Sequence, residues 1–168
     1  ERRADIERAF AAVPANFAVD TWARLDERLD AYASDWLAVQ HDVCTATRVH
    51  GLQSDRLLDL RSACLQGRRR QLDALTSVLA EADREVVVRV PKLLQELKPS
   101  QPCAQLEVLE SGVDSVPAEH REAAEAVARQ LDAARASNAA GRSTEAIATA
   151  RAAVAGAETI GHLPLQVE

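Results

Sequence analysis

Residues 22–43, WARLDERLDAYASDWLAVQHDV, carry apolar side chains at alternating steps of three and four. This spacing places them on one face of an α-helix, so the stretch predicts a long amphipathic helix. A second ladder with the same spacing follows and predicts a second helix. The first ladder consists of Trp22, Leu25, Leu29, Tyr32, Trp36, Val39, Val43 and Ala46, and the second of Leu58, Arg61, Leu65, Arg68, Leu72, Leu75 and Leu79.

The link between the two ladders is short and contains Gly51. A short link between two amphipathic helices favours an antiparallel hairpin, because the two apolar faces can then cover each other. We therefore expect an all-α protein built on a long antiparallel helical hairpin, with helices at about 20–49 and 54–82. Asp20 or Thr21 is expected to cap the first helix, and Ser54 or Asp55 the second.

The composition of the chain agrees with helices. Its charge and its apolar pattern argue against nucleic-acid binding and membrane contact. Apolar residues make up 47% of the 168 residues, but aromatic residues only 3%, and glycine and proline are few. The formal net charge of -6 argues against a nucleic-acid surface, which needs a concentrated cationic face. No stretch approaches the roughly 20 apolar residues of a membrane span and no signal peptide opens the chain, so we expect no membrane contact within it.

A change of composition divides the chain into two predicted parts. Residues 1–115 form a helical region built on the hairpin. From Pro117 onward, alanine with regularly spaced glutamate and arginine predicts a pair of helices within 116–168. Because the chain does not begin with methionine, we expect it to be a fragment of a larger protein.

Between the hairpin and the final helix pair, the sequence predicts shorter elements. Residues 83–97 are rich in valine and contain Pro91, which should kink or restart a helix. The run Val86-Val87-Val88 has no alternating partner, so it is interpreted as helical and not as a strand. A short helix is expected around Cys103 to Leu109.

The final helix pair has small residues where two helices must approach closely. They are Ala134 on its first helix and Ala146 and Ala153 on its second. In this pattern the pair resembles a tetratricopeptide repeat, a helix-turn-helix unit that stacks on copies of itself. The chain departs from that family at Ala150, which stands where the repeat has a bulky residue, and small residues replace the usual large aromatic residues. One copy cannot bury both of its faces, so the resemblance implies that the chain is truncated before further repeats.

A motif around the hairpin link carries a second resemblance. It reads Cys44-x3-Arg48-x2-Gly51-x-Gln53-Ser54, followed by Leu57-Leu58-Asp59-Leu60-Arg61-x2-Cys64-Leu65. This is similar to a segment of large bacterial serine/threonine protein kinases that carry tetratricopeptide repeats, especially the myxobacterial type. In that family a kinase domain precedes a membrane helix, a cysteine-containing helical region and the repeats.

The resemblance implies a non-catalytic sensor or interaction region of such a kinase, on the extracytoplasmic side of a membrane-anchored parent. The chain itself has no glycine-rich phosphate loop, no His-Arg-Asp loop and no Asp-Phe-Gly loop, so we expect no enzyme activity and no cofactor. The expected partner is a protein or a peptide. The alternative is a cytoplasmic tetratricopeptide scaffold or regulator attached to a transcription factor or a signalling ATPase.

The three cysteines, Cys44, Cys64 and Cys103, distinguish these compartments. In the cytosol they would be small buried apolar residues, whereas the family layout implies an oxidising compartment in which disulfides persist. If residues 48 and 55 face each other, Cys64 lies about 7 Å beyond Cys44 along the hairpin, which is borderline for a bridge. A bridge from Cys64 to Cys103 and a partner upstream of Glu1 remain open.

Arg61 and Arg68 lie on the apolar ladder of the second helix and therefore need partners. Asp35 or Asp42 on the facing helix can supply a carboxylate, so we predict buried ion pairing and no ligand site. His41 lies three residues before Cys44, but no CxxC motif or second histidine completes a set of ligands. No metal site is predicted.

Overall fold

The computed structural model describes residues 1–48, 54–105 and 116–160, and its described part is all-helical, without strands. This confirms the predicted all-α class. Within these described ranges the six α-helices are α1 Arg2–Ala12, α2 Ala18–Arg48, α3 Asp55–Leu79, α4 Arg84–Gln95, α5 Arg121–Ala139 and α6 Ser143–Ile160, with short 3-10 helices at Gln101–Ala104 and Ala118–His120.

The ends of the helices follow from local capping chemistry. The Ser54 side chain accepts a hydrogen bond from the Leu57 amide at the start of α3, as predicted. At the start of α4, the Asp83 side chain accepts a hydrogen bond from the Val86 amide. The predicted cap at Asp20 or Thr21 is wrong, because α2 begins at Ala18 and both residues lie in its first turns. The predicted link at Gly51 lies outside the described residues.

The main core lies where α1, the start of α2, the end of α3, α4 and the end of α5 meet. Phe10 of α1 is fully buried, and its ring centroid lies 5.9 Å from that of Trp22 on α2. Other buried side chains of this core are those of Leu25, Leu75, Leu79, Val86, Val90, Leu93 and Ala139. The valine-rich segment is therefore helical, as predicted, and buries one face of α4.

Two side chains of α2 donate hydrogen bonds to main-chain carbonyls of α3. Tyr32 donates to Arg68 at 3.5 Å, and Trp36 donates through Nε1 to Leu65 at 2.9 Å. From Tyr32 to Trp36 the partner on α3 moves back along the chain, so these two helices run antiparallel at this level. A second, smaller apolar cluster lies beyond them and contains Val39, Val43, Leu65 and Cys103.

The final two helices pack closely on each other through small residues. Val127 of α5 and Ala153 and Ala157 of α6 form a separate buried cluster. A Cβ atom added at Gly156 would lie 3.0 Å from Val127, so the helices are near their minimum separation. Gly141, in the turn between them, has a φ of +88°, a backbone conformation that favours glycine. The likeness of this pair to a tetratricopeptide repeat stays a prediction.

We predict that Leu79→Ala lowers the free energy of unfolding by about 3 kcal/mol, because Leu79 is 0% exposed at the centre of the main core. The matched control is Leu37→Ala on α2, where the side chain is 61% exposed and the loss should stay below about 0.5 kcal/mol. Urea unfolding followed by circular dichroism measures both. Equal losses would contradict the position of the core.

Candidate functional site

The segment 98–104, which follows α4, is held against α2 and α3 by a disulfide. The Sγ atoms of Cys64 on α3 and Cys103 are 2.08 Å apart, and the Cα atoms are 5.6 Å apart. Cys103 is 0% exposed and packs with Val39, Val43 and Leu65. Of the pairings left open by the sequence, the structure therefore has Cys64 with Cys103, while Cys44 is exposed and free.

Three side chains of the long helices fix the main chain of this segment. Tyr32 donates to the carbonyl of Lys98 at 3.0 Å, Arg68 donates through Nε to Pro99 at 3.2 Å, and Arg61 donates to Ala104 at 2.8 Å. An irregular segment leaves carbonyl groups without helix partners, and long arginine side chains can reach them. We call this arrangement the disulfide clamp: Cys64, Cys103, Tyr32, Arg61 and Arg68.

The two arginines were predicted to pair with Asp35 or Asp42, and the structure gives both of them carbonyl partners in the clamp. Asp35 and Asp42 are exposed on α2. Asp42 contacts its neighbour His41, whose Nδ1 lies 3.7 Å from the carboxylate. Carboxylate pairing of Arg61 and Arg68 therefore stays a prediction. Within the described ranges, no group of three metal-ligating side chains occurs.

The environment of Tyr32 changes its titration. Burial raises the pKa of the Tyr32 phenol because the charged form loses solvation, and the nearby Ser100 side chain and the Arg68 charge oppose this effect. The neutral phenol is also the form that donates a hydrogen bond to the Lys98 carbonyl. Tyr32 is thus a positioning residue of the clamp at neutral pH.

A groove of about 460 Å³ lies between the first three turns of α2 and one side of α4. Its apolar lining includes Phe17, which is 39% exposed, and Val88, which is 60% exposed. Two arginines, Arg24 and Arg28, complete the α2 wall. The full lining is Phe17, Thr21, Arg24, Leu25, Arg28, Val87, Val88, Val90, Pro91 and Leu94. We call this surface the α2/α4 groove.

A second groove, of about 310 Å³, lies between α3 and α5 and has charges of both signs. Arg70 lies 3.0 Å from Glu125 and 3.5 Å from the buried Asp132, and thereby joins α3 to α5. Arg142 contacts both the side chain and the carbonyl of Glu81. Because Arg70 and Arg142 have carboxylate partners inside the protein, we assign these two side chains to packing. Of the run 68–70, Arg69 alone is exposed.

The sequence did not predict the α2/α4 groove. A partial signal was present, because Arg24 and Arg28 are one helical turn apart and flank Leu25 of the apolar ladder. Which valine of α4 faces outward cannot be read from a run of three valines. The exposure of Val88 is thus a result of how α4 packs.

The comparisons with known proteins add no relatives. No family model, curated protein or solved structure matches this chain. Among the described residues, no helix combines the length and the apolar character that crossing a membrane requires.

We predict that removing the disulfide by Cys64→Ala with Cys103→Ala costs about 4 kcal/mol of unfolding free energy, because the bridge spans 39 residues of sequence. Cys44→Ala is the matched control and should change little. Urea midpoints with and without a dithiol reductant provide the measurement. The reductant should lower the midpoint of the parent and of the control, but not that of the double variant.

We also predict that Tyr32 titrates above the ordinary tyrosine value of about 10. A raised pKa in the folded state means that the stabilisation is fully present below pH 10 and is lost as the pH rises through the folded-state pKa. Tyr32 is the only tyrosine, so the tyrosinate absorbance reports on it directly. In denaturant the midpoint should return to about 10. A folded-state midpoint at or below that of the unfolded chain would contradict its burial.

Proposed function

We propose that this chain is a non-catalytic sensor and interaction region of a larger bacterial serine/threonine protein kinase that carries tetratricopeptide repeats. It binds a protein or peptide through helical surfaces and lies on the extracytoplasmic side of the membrane. The family assignment rests on the motif from Cys44 to Leu65. The observation that carries the location is the disulfide between Cys64 and Cys103.

Disulfides persist in oxidising compartments and are rare in the bacterial cytosol, where thiols are kept reduced. The Cys64–Cys103 bridge links α3 to a segment that has little regular structure of its own, and three hydrogen bonds from the long helices hold the same segment. The bridge therefore helps to hold this segment against the long helices. This supports an extracytoplasmic location and a rigid helical scaffold.

The contrast between the polar side chains of the clamp and the apolar side chains of the α2/α4 groove supports an interaction role. Tyr32, Arg61 and Arg68 all donate to main-chain carbonyls, so the polar side chains of the clamp stabilise the fold. The α2/α4 groove, in contrast, exposes apolar side chains, and apolar grooves between helices are common binding sites for helical peptides.

One observation favours the alternative, a cytoplasmic tetratricopeptide scaffold or regulator attached to a transcription factor or signalling ATPase. Cys44 is exposed and free, and an exposed thiol survives longest in a reducing compartment. In that case Cys64 and Cys103 would be reduced thiols that pack as small apolar residues.

Thiol labelling of the native full-length protein in intact cells separates the two locations. We predict that a maleimide unable to cross the cytoplasmic membrane labels Cys44 without lysis, whereas Cys64 and Cys103 react only after denaturation and reduction. A strain with Cys44→Ser is the control and should show no label before reduction. Labelling of Cys44 only after lysis, with all three thiols free, would establish the cytoplasmic alternative. The full coding sequence should also contain kinase motifs before an apolar span of about 20 residues.

A further inference from the structure

We propose that the α2/α4 groove binds an acidic amphipathic helix of a partner protein, with apolar side chains in the groove and carboxylates beside Arg24 and Arg28. This inference deepens the proposed interaction role and rests on it. It names the surface that is used and the chemistry of the partner.

The apolar part of the groove is the first argument. Val88 on α4 is 60% exposed and Phe17, directly before α2, is 39% exposed, on opposite walls of one cavity. The hydroxyl of Thr21, the polar uncharged residue of the lining, already donates to the Phe17 carbonyl at 2.8 Å. The groove thus offers an occupant mainly apolar contact, which an apolar helix face would bury.

The shape of the groove favours a helix as its occupant. Its α2 wall is formed by residues 17, 21, 24, 25 and 28, which lie on one face of a helix, and its other wall is formed by α4. The space between two neighbouring helices accepts the side-chain ridge of a third. An amphipathic helix presents such a ridge at steps of three and four residues.

The charge of the lining selects an acidic partner. The chain carries a net charge of -6, yet the described residues that line the groove include two arginines and no carboxylate. Arg24 and Arg28 are exposed, one turn apart on the same wall. A carboxylate on each side of an apolar ridge would complement them.

The contrast between local and overall charge makes the proposal testable. The net negative charge of the protein disfavours any acidic ligand at long range, so a protein without a specific site should prefer a basic peptide. Preference for an acidic peptide can therefore arise only from a local cationic surface. The probes are two labelled helical peptides with the same leucine stripe, one flanked by glutamate and one by lysine.

We expect the full chain to bind the glutamate peptide about tenfold more tightly than the lysine peptide in fluorescence anisotropy, a difference of about 1.4 kcal/mol that lies within the range of two exposed charge contacts. Arg24→Glu with Arg28→Glu should invert this preference. Arg56→Glu with Arg69→Glu, two exposed arginines of α3, is the matched control with the same change of net charge and should retain it. Val88→Ser should weaken the binding of both peptides, with an unchanged circular dichroism spectrum.

Four results would overturn the proposal. They are equal binding of both peptides, retention of the acidic preference after reversal at Arg24 and Arg28, and self-association that the same reversal abolishes. The fourth is tighter peptide binding after Leu106→Ser with Leu109→Ser, which removes two apolar side chains that follow Gln105 in the sequence. The third would make the occupant a second copy, and the fourth would make it a segment of this chain. Any of them leaves the labelling of Cys44 and the state of the disulfide unchanged, so failure here is distinct from failure of the proposed function.

Discussion

The second half of α3 is the part of the chain on which the other helices converge. Leu75, Val78 and Leu79 are buried in the main core, where α1, α2, α4 and the end of α5 surround them. One turn earlier, Arg70 contacts Glu125 and Asp132 on α5. A helix that is covered on several sides fixes the positions of all its neighbours, because close packing leaves few alternative arrangements. The groove and the disulfide clamp both depend on this arrangement.

The two long helices were predictable because their apolar residues repeat at helical spacing over many turns. Tyr32 and Trp36 belong to that ladder, and the structure adds that both donate hydrogen bonds to carbonyls of α3. The role of the ladder arginines was harder to predict. Arg61 and Arg68 reach carbonyls of a segment more than thirty residues away in sequence, whose path is set by tertiary contacts. A carboxylate on the facing helix can be identified from the sequence, whereas the position of a carbonyl group in an irregular segment cannot.

The groove was not predictable for a related physical reason. Local sequence determines that α4 is helical and amphipathic, but which valine faces outward depends on the angle at which α4 meets α2. Val86, Val87 and Val90 are buried, whereas Val88 between them is exposed. The exposed face becomes a groove only because Arg24 and Arg28 of α2, with Phe17 just before that helix, lie opposite to it. Its chemistry is therefore a property of two helices together.

The clamp and the groove are connected through α4. The buried face of α4 packs into the main core, and the segment that follows its last turn is joined to α3 by the Cys64–Cys103 bridge. This short helix is consequently held along its buried face and beyond its last turn, and α2, which helps to hold it, also forms the opposite wall of the groove. A preformed groove loses less conformational entropy on binding than one that must order itself. For the proposed partner, the disulfide would favour binding without contacting that partner, because the bridge restrains the segment that follows α4.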